Sequence, residues 1–306
     1  MTDVPATPAS ILEQGNIANR AMKFRLSRGG TQRRIRDKDA ETLVKQQLGD
    51  EGQIVSRLLF KDSTNLVYQY QAKNNEMYAY HVKATLPFGD DLFRLLPNIA
   101  YFTYTQGMSS YISDLGQLKG QILVNWDALV LSDITARNNS LQAQGKAQTA
   151  KIDDYPTKEQ MDYRLYINWY PEPVSTANDF RFVQPPEIVA LAEKAWADAI
   201  EVSSRDRFNR MLAPVSKFIA KLNDYKGDKG QKWHDSFVDN LNDLSKDIPA
   251  LNIKDDPMVD SFLAQIEAII KPYVFAPDML KEDAFARSQV KLRLEALESQ
   301  LKGYAF

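Results

Sequence analysis

The chain has 306 residues, 44% of them hydrophobic, with a formal charge of −2 and no cysteine. That length and apolar share suffice for one large core or two smaller ones, while the missing cysteine excludes a disulfide framework, a thiolate nucleophile and cysteine-ligated zinc. The near-neutral balance excludes a wholly basic nucleic-acid coat and confines any phosphate-binding role to a local patch.

No apolar run approaches the roughly 18 to 20 residues needed to cross a bilayer. Residues 1–19 lack a signal peptide's basic start and apolar core. A protein of the reducing cytoplasm with no membrane contact is expected.

Residues 1–19 read as a flexible N-terminal segment. From Met22 to Ser27 apolar and polar residues alternate, the period of a half-buried strand; Met22, Phe24 and Leu26 are expected to face inward, Lys23 and Arg25 solvent or a partner. Gly29-Gly30 ends that strand, and the basic run Thr31 to Lys38 leads into a modest helical pattern ending near Gly49. From about Arg57 to Lys83 the spacing predicts a helix that buries Leu58, Leu59, Leu66, Tyr70, Met77 and Tyr80, stopped by Pro87 and Gly89. A second pattern runs from Pro97 to about Asn139, with Met108, Tyr111, Leu115, Leu118, Ile122, Trp126 and Leu129 near a heptad seam.

One helix of that length would reach on the order of 60 Å, so an antiparallel hairpin is expected, with Tyr80 to Pro97 as its tip or elbow. Gly107, Gly116 and Gly120 each cost about 1 kcal/mol against alanine, which points to close helix approach or a bend. Further on, Tyr163, Leu165, Ile167 and Trp169 alternate with Arg164, Tyr166, Asn168 and Tyr170, predicting a strand over 163–170 that Pro171 and Pro173 end. Phe180-Arg181-Phe182 predicts a shorter third strand.

Pro185-Pro186-Glu187 opens a helical remainder. Its stripe from Phe208 to Leu222 is expected to kink or restart at Pro214. After the polar linker Lys226 to Lys232 come a helix with Trp233, Phe237, Leu241 and Leu244, one capped by Asp256 before Pro257, and one opened by Pro277-Asp278 with the seam Val290, Leu294, Leu297 and Leu301. The expected fold is mainly α (α+β): a long antiparallel helical hairpin on a small antiparallel sheet, then a C-terminal helical domain. Divisions fall at 1–19, 20–185 and 186–306.

No phosphate loop, HExxH pair or GxSxG elbow is present. His81 reads as a packing residue near the turn and His234 as part of a polar helix start. The pairs Asp90-Asp91, Asp153-Asp154 and Asp255-Asp256 read as turns and caps, and only their convergence in space would make a metal-dependent nuclease. No catalytic residue, metal site or cofactor is assigned.

The binding signal is electrostatic: Arg20, Lys23, Arg25, Arg28, Arg33, Arg34, Arg36 and Lys38 are opposed only by Asp37. A neighbouring strand over 163–170 would add Arg164, Tyr166 and Tyr170, with Arg181 from the third strand. Cations interleaved with tyrosines suit single-stranded DNA or RNA, because phosphates need positive charge and unstacked bases need aromatic faces. The same residue types also serve cross-strand packing and ion pairs. The alternative is a structural protein whose hairpin mediates self-association into a homo-oligomer or docks a partner.

Tyr80-His81, Thr85-Leu86-Pro87, Asp90-Asp91 and Arg94-Leu95-Leu96-Pro97, with Asp154-Tyr155-Pro156, Pro171 to Pro173 and Asp179 to Phe182, resemble an uncharacterised family of tailed-phage and prophage proteins. The resemblance spans roughly residues 20–185, and Phe88 stands where tryptophan is expected in relatives. It implies a basic strand, a long hairpin and a returning aromatic strand, in that order. It also implies a virus-encoded accessory protein in the bacterial host cytoplasm, working beside phage or host replication proteins. It transfers no catalytic residue.

Overall fold

A computed structural model describes residues 17–31, 34–49, 54–89, 92–145, 148–174, 185–225 and 236–305, with all their side chains except those of 38–40, 43 and 48. Arg33, Arg181, Asp90-Asp91, Trp233, His234 and the expected strand at 180–182 lie outside the described residues.

After helical residues 17–20 come β1 (Ala21–Arg28) and β2 (Arg34–Arg36), then α1 (Lys38–Leu48) and β3 (Ser56–Leu58). β2 and β3 form an antiparallel ribbon with Arg34 opposite Leu58 and Ile35 opposite Arg57. The helix expected from Arg57 therefore starts later, as α2 (Leu66–Ala84). The reason is a local cap: Asp62 Oδ1 accepts the N–H and the hydroxyl of Thr64, each at 2.8 Å, and Asn65 Oδ1 accepts the Val67 N–H at 2.9 Å. These bonds compete with helical ones upstream and satisfy an orphan donor at the helix start.

The expected hairpin tip instead carries two strands, β4 (Leu86–Pro87) and β5 (Phe93–Pro97). Next come α3 (Tyr101–Val124) and α4 (Trp126–Ala143), where one continuous helix was expected. At Asn125, φ −101° and ψ 13° break the pattern, and its side-chain amide donates to Gln121 O at 2.8 Å. α5 (Lys158–Arg164) starts on a reciprocal Thr157–Gln160 capping box. It claims Tyr163 and Arg164, so the aromatic strand is β6 (Ile167–Pro173) and begins four residues later than expected. Pro171 and Pro173 do not end it. β6 is an edge strand in the order β4-β5-β1-β6, where a missing N–H need cost no ladder bond.

α6 (Pro186–Asp224) passes through Pro214 without a break. α7 (Ser236–Leu251) follows, then α8 (Pro257–Ile270), whose cap Asp256 accepts the Met258 N–H at 3.0 Å. Pro277-Asp278 opens only the short α9 (Asp278–Glu282). The last helix, α10 (Ala284–Ala305), is capped afresh by Asp283, which takes the Phe285 N–H at 2.7 Å.

Two compact units emerge. The first comprises Met1–Arg25, Val82–Phe102 and Tyr170–Phe306, the second Leu26–His81 and Thr103–Trp169. The chain passes between them at 25/26, 81/82, 102/103 and 169/170, whereas the sequence divides it at 19/20 and 185/186. In the first unit Ala21, Leu86 and Leu95 from the sheet join Met211, Val215, Phe218, Leu241, Phe262 and Leu294 from the helices in one core. Arg94 and Arg210 close the end of α2 there: Arg210 donates to the carbonyls of Val82, Lys83 and Thr85, and Arg94 to Thr85 Oγ1 and O. These are the orphan acceptors of a helix C-terminus.

In the second unit the arms are antiparallel. His81 Nδ1 lies 2.7 Å from the Tyr104 hydroxyl, Tyr80 contacts Tyr111, and Lys73 pairs with Asp114. Its core is aromatic, with Phe60 packed on Trp126 and Tyr155, and Tyr104 on Tyr80 and Trp169. His81 is buried among them, as a packing residue. No described helix is long and apolar enough to cross a membrane.

Candidate functional site

The residues singled out for nucleic-acid contact fall into separate groups. Lys23 and Arg25 were expected on the solvent face of β1. The register puts Lys23 opposite Leu95 and Arg25 opposite Phe93, and opposite residues of an antiparallel pair share a face. That face also carries Ala21, Leu86 and Leu95 into the core. Phe24 and Leu96, on the other face, are buried too. Both sides of β1 are thus covered, and alternation alone does not reveal which side is wet.

Lys23 retains 17% of its side-chain exposure and pairs with Glu172 at 3.7 Å. It lies 4.7 Å from the Phe93 ring centroid, and Arg25 lies 6.0 Å from the same ring. The Arg25 Nε is buried without a hydrogen-bond partner. Tyr170, two residues before Glu172 on β6, shares its face by the strand period and is exposed. Within the first unit the structure therefore gathers Lys23, Arg25 and Tyr170, with one cation already neutralised.

A second group lies in the second unit, around Gly29. The guanidinium of Arg28 sits 4.3 Å from the centroid of the Tyr78 ring and donates to Asn74 O at 2.9 Å and Asn75 Oδ1 at 3.2 Å. Burial lowers the Arg28 pKa from its ordinary value. Neither Arg28 nor Arg164 has a carboxylate partner among the described residues. Gly29 donates its N–H to Tyr166 O at 2.9 Å and accepts from the Asn74 amide at 2.8 Å. A Cβ there would stand 1.7 Å from Arg164 O and 2.8 Å from the Tyr166 ring, so only glycine allows this approach. Tyr78 and Tyr166 remain 44% and 41% exposed.

The last two predicted residues lie on β2. Arg34 is exposed and reaches Ser56 Oγ at 3.4 Å, while Arg36 is held by both Glu41 oxygens at 2.8 Å.

No family model, curated protein or solved structure matches the chain.

The second unit also holds a feature that sequence reasoning missed: a cleft of about 410 Å³ between the β2–β3 ribbon and α4. Four of its lining residues, Asp37, Arg57, Asp133 and Arg137, belong to a charge network. Asp154, 9% exposed at the side chain, pairs with Arg57 at 2.8 Å and Arg137 at 3.8 Å; Asp37 stands 3.7 Å from Arg57. Arg137 donates to the Tyr155 hydroxyl at 3.1 Å, which donates to Asp133 Oδ2 at 2.6 Å. Asp133 Oδ1 takes the Phe60 N–H at 3.1 Å, at a residue whose φ is 49°. Burial first, then the bond to Asp133, pushes the Tyr155 phenol far above its ordinary pKa.

Asp133, Arg137 and Ser140 recur at helical spacing along α4, and its C-cap Gln144 continues the row. That period was visible in sequence, but nothing in it distinguishes the wall of a cleft from a solvated helix face. Of the acidic pairs, Asp256 caps α8 and Asp154 sits in the network. Among the described residues no group of three His, Asp or Glu is placed to hold a metal ion.

Proposed function

We infer that the protein is a non-catalytic binder of single-stranded nucleic acid, with its contact point at the Gly29 corner of the second unit. What carries this reading is the pairing of two arginines that lack carboxylate partners among the described residues, Arg28 and Arg164, with two half-exposed tyrosines, Tyr78 and Tyr166. Uncompensated cations attract phosphates, and tyrosine faces accept unstacked bases. Arg34 extends the positive charge along β2, and Lys23, Arg25 and Tyr170 form a weaker second contact in the first unit. The resemblance of the Tyr80–Pro97 block to phage and prophage proteins suggests an accessory role in phage DNA metabolism, in the cytoplasm of a bacterial host.

Fluorescence anisotropy of labelled single-stranded DNA, duplex DNA and RNA at two salt concentrations tests this. Single strands should bind best, with log affinity falling against log salt by about 0.7 per phosphate engaged. Tyr166→Ala should weaken binding by about 1–3 kcal/mol, and Arg164→Ala should flatten the salt slope. Binding indifferent to salt and to both substitutions refutes the reading.

Self-association remains the second reading, because Val124 and Leu131 stand exposed one heptad apart on α3 and α4. Light scattering that returns a strict monomer removes it.

A further inference from the structure

We propose that the cleft of the second unit binds a nucleoside monophosphate, a ligand that combines an anion, vicinal hydroxyls and a flat, largely apolar ring. The volume, about 410 Å³, falls within the range of small-ligand sites. Two of its cations have donors to spare. Arg137 commits one terminal nitrogen to Asp154 and Tyr155, and its other terminal nitrogen has no hydrogen-bond partner among the described residues. Lys61, exposed at the mouth, has no ion-pair partner among them either. Both suit a phosphate oxygen.

Asp62, beside Lys61, is oriented by its two bonds from Thr64 to Oδ1. Its Oδ2 is left to accept from hydroxyls. Leu58, Ala136 and Leu141 supply an apolar wall on which a ring can lie.

Simpler ligands satisfy only part of this lining. Inorganic phosphate meets the cations but offers no vicinal hydroxyls to Asp62 and nothing to the apolar wall. An apolar compound covers the wall and leaves Lys61 and Arg137 facing an emptied solvent shell. A nucleoside monophosphate offers its phosphate to Lys61 and Arg137, its hydroxyls to Asp62 and its ring to the wall. Arg137 is already held by a buried carboxylate, so its ordering cost falls on folding rather than on binding.

This site shares no residue with the Gly29 corner. Isothermal titration calorimetry on the full chain tests it, using adenosine and uridine monophosphates. Inorganic phosphate, ribose 5-phosphate and adenosine serve as partial probes. Saturable binding is expected, with Kd below about 1 mM and at least about tenfold weaker for each partial probe. Leu141→Arg, which fills the cleft, should abolish it. Lys61→Ala, at an exposed position that folding does not need, should weaken it about tenfold. No saturable binding of either nucleotide, phosphate binding as tightly as the nucleotide, or full affinity in Lys61→Ala overturns the proposal. Arg164→Ala should leave nucleotide binding unchanged while it impairs single-strand binding, so the two readings fail separately.

Discussion

A Cβ at Gly107 would stand 2.4 Å from the Tyr80 hydroxyl oxygen, which donates to Thr103 O at 2.9 Å. At Gly116 and Gly120 the same added atom meets nothing within 4 Å. Three glycines of equal helix propensity on α3 therefore differ in purpose. Gly107→Ala should destabilise by about 1–3 kcal/mol through overpacking, outweighing the gain of about 1 kcal/mol that alanine brings to a helix interior. Gly116→Ala and Gly120→Ala should keep that gain, each raising stability by up to about 1 kcal/mol. Urea unfolding midpoints separate the outcomes; a stabilised Gly107→Ala would mean that Tyr80 yields without cost. Sequence shows that these glycines interrupt a helix. Which of them faces the other arm depends on the register of α2 against α3, which the pattern of neither helix alone fixes. Lys23 poses the same difficulty, because an alternating strand has two faces and either can be covered.

Caps decide the elements. Asp256 combines extended backbone angles, a side chain that accepts the Met258 N–H, and Pro257 at the first helical position, and all of these could be read from Asp-Pro ahead of an apolar stripe. Asp256→Ala should cost about 1 kcal/mol, visible as a lowered thermal midpoint; an unchanged midpoint would mean that Pro257 alone starts α8. The same reasoning chooses wrongly at Pro277-Asp278, since a second cap at Asp283 follows within a few residues and the long helix grows from there. Asn125 is masked differently. Ile122, Trp126 and Val130 are all buried at helical spacing, so the apolar seam runs on while the backbone pauses. The cleft was the least legible part, because its charged lining comes from Asp37, from Arg57 on β3, from the turn at Lys61-Asp62 and from α4, segments distant in the chain whose polar residues each look like ordinary surface.

At the scale of the whole molecule, buried phenols tie stability to alkaline pH. Burial pushes Tyr70 up to about 12 from 10.0, and it raises Tyr80 and Tyr155 as well. The unfolded chain loses these protons first, so their contribution is full below about pH 10 and is lost as pH climbs toward 12. In an alkaline titration the phenolate absorbance of these residues should rise together with loss of helical circular dichroism. A phenolate signal complete at pH 10 with the helices intact would contradict their burial. The interleaving of the two units bears on the order in which they form during synthesis. Every segment of the second unit has been made once Trp169 is joined, whereas the first unit needs Ala21 from near the start of the chain and Leu294 from near its end in one core. The first unit's strands must therefore wait for helices made after residue 185, and a fragment ending at residue 185 should protect the hairpin from protease while leaving β4 and β5 open to cleavage.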